Sequence, residues 1–302
     1  MRRLRFSTVH LLMFLCAVLV SASFPVGAAI SHDLDPSVLT LVRFFSASIL
    51  FAPIIWYRHG LAVSFPALAR YSLISAALVI FFWCMFFSLR YTTALNTSAI
   101  FTLVPSLSGL YAMVLNRERL GRARLIALFL GLIGALWIIF RGDINQLTSL
   151  AWNRGDLVFF IGCLFMGFYT PLIRLLHRGE PMALMAFWIM VTGTLWLLLL
   201  AGPKLVYVSW TDVSTKVWLG IGYLAVFSTI VSFFLTQYGI LFLGPTRVMA
   251  YSYLYPALVL ILDLLCGGPL PELKILPGIV IVLSAMIVVQ QMAGGLSKED
   301  PR

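Results

Sequence analysis

The chain has 302 residues, of which 61% are hydrophobic and 11% charged, and its mean hydropathy is +1.00. Soluble domains carry about 25% charged residues, so this composition excludes an ordinary water-soluble enzyme. The formal net charge of +10 would suit a nucleic-acid binder, but the charges are clustered, and long apolar stretches separate them. No Asp, Glu, Lys or Arg occurs in Phe6–His32, Tyr71–Leu89, Tyr91–Asn116, Pro181–Pro203, Val217–Thr246 or Ile275–Ser297. A helix crosses the hydrocarbon layer with roughly 20 apolar residues, so the chain is expected to cross repeatedly.

In chain order the pattern predicts ten helices, near 9–30, 37–57, 70–90, 93–115, 123–141, 156–176, 181–201, 217–241, 245–266 and 275–293. The first follows Arg2-Arg3-Leu4-Arg5 and is too long for a signal h-region, so it reads as an uncleaved helix. It carries Pro25. The second contains Arg43, about seven residues, or roughly 10 Å, inside its start. A charge at that depth either faces a bundle interior or wet cavity, with a role in binding or gating, or snorkels to the headgroups. The third carries Trp83. The fourth carries Asn96, Ser98, Thr102 and Ser106 around Pro105.

On the fifth, Ala123, Ala127, Gly131 and Ala135 form one small-residue ridge, which lets another backbone approach closely; this is expected to be a packing helix. The sixth carries Tyr169 and Pro171, and the eighth Ser232 and Gln237. On the ninth, Tyr251 and Tyr255 share a face while Tyr253 points away, and Pro256 follows. Asp263, near its outer end, is the one acid well inside a predicted span. It could exchange protons, bind a cation or pair with Arg43; equally, beside Gly267-Gly268-Pro269, it could be an ordinary interfacial aspartate.

With the N-terminus in the cytoplasm, 14 of the 21 basic residues fall inside and six outside, with Arg43 in a span. The positive-inside rule then places both termini in the cytoplasm. The basic charge reads as an orientation signal in contact with lipid headgroups, and no nucleic-acid partner is expected. Cys16, Cys84, Cys163 and Cys266 lack paired spacing and read as packing residues.

Shifting the chain by 151 residues lays Pro105 on Pro256, Ala99 on Ala250, Leu103 on Leu254, Leu107 on Leu258 and Ala127 on Gly278. A slightly different offset lays Phe24-Pro25 on Thr170-Pro171. These matches suggest two five-helix repeats, 1–145 and 150–295, followed by a short cytoplasmic tail, 296–302. Because five is odd, the second repeat enters the bilayer in the opposite sense, a plan that places a substrate site between the halves. The expected fold is therefore an all-α membrane protein of ten transmembrane helices in two inverted repeats. Pro25, Pro105, Pro171 and Pro256 each remove a backbone donor and are expected to kink or loosen their helices around a cavity.

The stretches Asp35-Pro36-Ser37-Val38-Leu39-Thr40-Leu41-Val42-Arg43-Phe44, Arg90-Tyr91-Thr92-Thr93-Ala94 through Pro105, and Asn116-Arg117-Glu118-Arg119-Leu120 carry a family resemblance. Over nearly its whole length the chain resembles the EamA-type carriers of the drug/metabolite transporter superfamily. The second half departs from the pattern, with Trp188 where Arg43 would fall and Gly267-Gly268-Pro269 in place of the charged turn. The resemblance implies ten helices, both termini inside, and gradient-driven export of small metabolites.

The expected function is a secondary transporter of the bacterial inner membrane. It would export a small amphipathic metabolite, such as an amino acid or a derivative, by alternating access. The candidate pathway residues are Arg43, Trp83, Asn96, Thr102, Pro105, Tyr169, Gln237, Tyr251, Tyr255 and Asp263. No catalytic residue, metal site or cofactor is expected: His10, His32, His59 and His177 sit at helix ends or in loops, and no hydrolase, metalloprotease or nucleotide-binding motif occurs. The partners expected are a small-molecule substrate and the lipid bilayer, with a homo-oligomer compatible but not required. The rival classes are a membrane scaffold or subunit, with the ridge of the fifth helix as its partner surface, and a multispanning membrane enzyme.

Overall fold

A computed structural model describes residues 2–115, 121–143, 153–243, 245–268 and 270–296. The elements are all helical among the described residues. They form ten rods: α1 (Arg2–Ser21 continued by Ser23–Ile30), α2 (Pro36–His59), α3 (Phe65–Ser88), α4 (Ala94–Phe101 continued by Val104–Leu115) and α5 (Arg122–Ile139) make the first five. The second five are α6 (Arg154–Leu176), α7 (Met182–Leu205), α8 (Thr215–Ala225, a π-helical turn Val226–Val231, then Ser232–Leu243), α9 (Pro245–Met249, a 3₁₀ stretch Ala250–Leu254, then Tyr255–Leu265) and α10 (Leu276–Leu296). Nine are long and apolar enough to cross a membrane; the apolar part of α5, Leu125–Ile139, is shorter. The basic turn 116–120, Pro269, the proposed repeat junction 145–150 and most of the tail lie outside the described residues.

Local chemistry explains where these helices begin. Asp35 caps α2, its carboxylate accepting the Ser37 N–H at 2.9 Å, and Pro36 occupies the first helical position, where its missing N–H costs nothing. Ser64 and Thr93 cap α3 and α4 in the same way. Outside the bundle, Phe129, Leu199, Leu219 and Val280 are each more than 60% exposed. Water would penalise such a surface, and lipid tails would not.

Without a hydrophobic force between helices in lipid, close packing has to hold the bundle together. The most extensive pair is α5 on α10. A Cβ on Gly134 would stand 2.8 Å from the Gly278 carbonyl, and one on Gly278 3.0 Å from the Gly134 carbonyl. The predicted ridge does face inward, with Ala127 and Ala135 buried, but the closest backbone approach uses Gly134, which lies off that ridge. Gly131 instead packs against the ring of Tyr253. Ala127, Gly131 and Ala135 of the ridge are therefore covered within the chain.

Contacts between helices pair off across the two halves. Helix α3 lies on α6 as α8 lies on α1, and α3 on α7 as α8 on α2; α2 meets α7, α4 meets α9 and α5 meets α10. Adding or subtracting five from these helix numbers returns the same pairs, while the α2–α3, α8–α9 and α1–α4 contacts have no counterpart of similar extent.

The prolines act unequally. In α1, α4 and α9 a break or 3₁₀ stretch lies within a few residues before Pro25, Pro105 and Pro256. Helix α6 runs on through Pro171 without interruption.

Candidate functional site

The end of the bundle where α1 begins is called the near face here, and the opposite end the far face. A cavity of about 310 Å³ lies in the middle. Its wall comes from the near halves of α6, α7 and α9, from α1 and α8, from Arg43 of α2, and from the far parts of α3 and α4. Six of the eleven methionines line it: Met13, Met85, Met166, Met182, Met185 and Met249. Phe24, Phe81 and Phe101 also line it and belong to a contiguous ring cluster that continues to Phe159, which is fully buried.

Among the described residues Arg43 supplies the cavity's one carboxylate-matching charge, and it is only 2% exposed. Two neighbours fix it. Its Nε and Nη2 donate to the Thr229 hydroxyl at 3.3 and 3.1 Å. The Thr229 hydroxyl donates in turn to the Leu224 carbonyl, five residues back, at 2.8 Å. Beneath, the guanidinium lies 4.1 Å from the centre of the Phe82 ring. The π-helical turn of α8 carries Thr229 within this arrangement, and such turns cluster at functional sites. The Arg43 Nη1 is buried without a hydrogen-bond partner. Snorkelling is thereby corrected: the side chain stays inside the bundle because α8 offers it a hydroxyl and α3 a ring face.

On the near side of the cavity, Tyr251 bonds His10 of α1, and Cys16 lies 3.5 Å from the Thr236 hydroxyl. Ser23 and Ser252 spend their hydroxyls on their own helices. The Tyr169 and Tyr255 side chains enter the wall, and the Tyr255 ring stacks on Phe101.

Polar ties close the far face. Arg90 donates to the carbonyls of Ser31 and Leu34 at 2.7 and 2.9 Å, joining α3 to the α1–α2 turn. Asp156, 3% exposed in the first turn of α6, accepts from the Thr92 hydroxyl and, at 3.4 Å, from Asn96. Asn153 donates to the Tyr91 carbonyl at 2.6 Å. Lys204, at the end of α7, holds both Asp35 oxygens at 2.9–3.0 Å. Burial pushes the Asp35 carboxyl up, but hydrogen bonds from Ser37 and Lys204 outweigh it and hold the group below the usual carboxylate value. The near face has its own tie, in which Glu180 accepts from Tyr71 at 2.9 Å and pairs with Arg70 at 3.7 Å.

The ten candidate pathway residues therefore divide. Arg43, Tyr169, Tyr251 and Tyr255 meet at the cavity. Five of the others do not join them there. Trp83 is 37% exposed and stacks on Phe87, since a ring on the lipid side of α3 costs nothing. Asn96 is drawn to Asp156. Thr102 bonds the Ala99 carbonyl of its own helix, and Pro105 sits beyond the ring cluster. Asp263 is exposed, packed beside Gly268, and forms no ion pair with Arg43 among the described residues, so the suggested pairing fails on placement. The Gln237 side chain lies outside the described ones.

Sequence reading missed Asp156 and Thr229. Asp156 stands at the predicted start of the sixth helix, and nothing local announces that Thr92 and Asn96, some 60 residues earlier, receive it. Thr229 is one hydroxyl in an apolar run, and nothing local announces a π turn. Among the described residues no group of three or more His, Cys, Asp or Glu could hold a metal ion.

The EamA-like transporter family model matches residues 7–140 and 153–290. The uncharacterized transporter YyaM of Bacillus subtilis (strain 168) is 23% identical over 282 residues, 92% of each chain. An uncharacterized transporter of Archaeoglobus fulgidus is 24% identical over 260 residues, 83% of this chain and 86% of its own. A solved crystal structure, 16% identical, superposes with a TM-score of 0.66 over 96% of this chain and 99% of that one, which is a likeness of fold.

Proposed function

The chain belongs to the EamA-like transporter family, a multi-pass membrane transporter family, and we propose that this protein is a secondary carrier whose substrate site is the central cavity. The single observation that carries this reading is the cavity itself, which holds a buried, ring-stacked Arg43 in its wall. Its volume suits a small organic molecule, and a mixed wall of rings, thioethers and one charge suits an amphipathic one.

The cycle would be alternating access. The exchange of helix contacts under a shift of five supports two inverted repeats, 1–145 and 150–295, related across the α2–α7, α4–α9 and α5–α10 contacts. In the state described, the ring cluster and the polar ties lie between the cavity and the far face. Opening that face requires the Asp156, Arg90 and Lys204 ties to part while the near halves of α6–α9 close on α1. The excess of basic residues on the near side supports a cytoplasmic near face in a bacterial inner membrane, and loading there followed by release at the far face is export. An amino acid derivative or similar metabolite fits this description.

Purified protein in liposomes tests it. Preloaded vesicles should accumulate a labelled metabolite by counterflow, and vesicles without protein should not. A broad metabolite panel giving no counterflow with well-folded protein would overturn the carrier reading.

A further inference from the structure

We propose, building on the carrier reading above, that the cargo is an organic anion: a carboxylate head seated on Arg43, with an apolar or aromatic body against the methionine and ring wall. The charge balance of the cavity points to it. Arg43 is buried, lines the cavity and keeps Nη1 without a partner, while its Nε and Nη2 share one hydroxyl that is itself committed to Leu224. The acids that could have neutralised it are engaged elsewhere: Asp35 with Lys204, Asp156 with Thr92 and Asn96, Glu180 with Arg70 and Tyr71. Among the described residues no Asp or Glu lines the cavity.

A buried cation without a counter-ion is strongly unfavourable, and removing that cost is the largest contribution a ligand can make here. A carboxylate accepts the free Nη1–H and shares the Nη2–H beside it in the planar two-point geometry that guanidinium favours. The Phe82 face below and Thr229 to one side fix the plane of the fork, so the unpaired Nη1 is already held in the cavity wall. An amine would be repelled by the same charge, and a neutral amide would leave it uncompensated. The wall offers the body no comparable discrimination, because thioethers reshape around what they meet.

Binding of three labelled probes with one body and different heads, phenylacetate, phenylacetamide and phenethylamine, tests this on the purified full chain. The wild type should bind phenylacetate at least about tenfold more tightly than either other probe, and the preference should vanish as the pH falls below the probe's own carboxyl pKa. Arg43→Gln should weaken phenylacetate about tenfold or more while changing phenylacetamide by no more than about twofold. Arg43→Lys, which keeps the charge but not the fork, should fall between. Equal wild-type binding of acid and amide, absence of phenylacetate binding, or a retained preference in a folded Arg43→Gln protein would each overturn the proposal. The wild-type comparison stands even where the variant fails to fold. Failure of the carrier reading looks different: anion-selective binding that depends on Arg43 but yields no counterflow of phenylacetate into proteoliposomes. Counterflow of amide and acid alike would keep the carrier and remove the anion.

Discussion

Toward the far face, α1, α3, α4, α6 and α7 are joined through side chains that reach one another's caps, carbonyls and carboxylates. Toward the near face, α6–α9 look across the cavity at α1 over methionines, rings and a few hydroxyls spent on their own helices, and the polar ties are fewer: Tyr251 with His10, and Glu180 with Arg70 and Tyr71. Single glycines show how unevenly the rods are packed. A Cβ on Gly155, at the far end of α6, would meet the Ser88 carbonyl at 2.8 Å, whereas Gly121 at the near end of α5 has nothing within 4 Å. Tightness at one end and looseness at the other is what a clamp with one hinge side needs: the tight end defines the state, and the loose end can change shape at little cost. Ties of this kind also break as a set, since each shares a helix with the next.

The sharpest way to break that comparison is Gly155→Ala. It should destabilise the protein by about 1–3 kcal/mol, read as a lowered melting temperature in detergent, while Gly121→Ala stays within about 0.5 kcal/mol. Equal effects would mean that the far face is not the tight end. Asp156→Ala comes close behind, because Thr92 and Asn96 lose their acceptor at a cost of about 1–3 kcal/mol. Hydrogen exchange should then rise in 88–97 and 153–158 and stay unchanged in 245–255.

Thr229→Val tests the wall between the two ends. Two guanidinium N–H groups lose their acceptor, and the expected cost is about 1–2 kcal/mol with the cavity otherwise intact. Tyr251→Phe removes the bond to His10 and should cost about 1 kcal/mol or less; a larger loss would show a near face more firmly tied than its wall suggests.

The smallest effect is that of pH. The folded Asp35 carboxyl lies below its ordinary value of 3.8, so its contribution is complete above that value and is lost as the pH falls through the lower folded one. Unfolding curves should show this loss for the wild type and not for Asp35→Asn. With Lys204 and Asp35 half exposed, solvent screening keeps the effect small.

Much of the fold could be read from the residues because bilayer thickness leaves so little choice: a run of about 20 apolar residues is a helix and a crossing. Helix starts were equally open to reading where chemistry marks them, as at Asp35-Pro36-Ser37. Arg43 stood out because a cation in such a run has few permitted places. What stayed hidden depends on tertiary placement. Whether a tyrosine or tryptophan faces cavity or lipid is a question of helix rotation, which separates Tyr169 from Trp83. Asp156 is buried only because Gly155 lets α6 settle on Ser88. Thr229 reaches Arg43 within a turn carrying one residue more than an α-helix would. The methionines that line the cavity look, residue by residue, like any others in a membrane helix.

Those methionines have a consequence for how selectivity would be measured. A wall of unbranched thioethers behaves as a soft lining around one rigid point of reference, the guanidinium. Across a homologous series, affinity should then vary gently with ring size, branching and chain length, yet fall abruptly when the head group changes sign or loses its charge. A site of that kind reads chemical class rather than molecular outline.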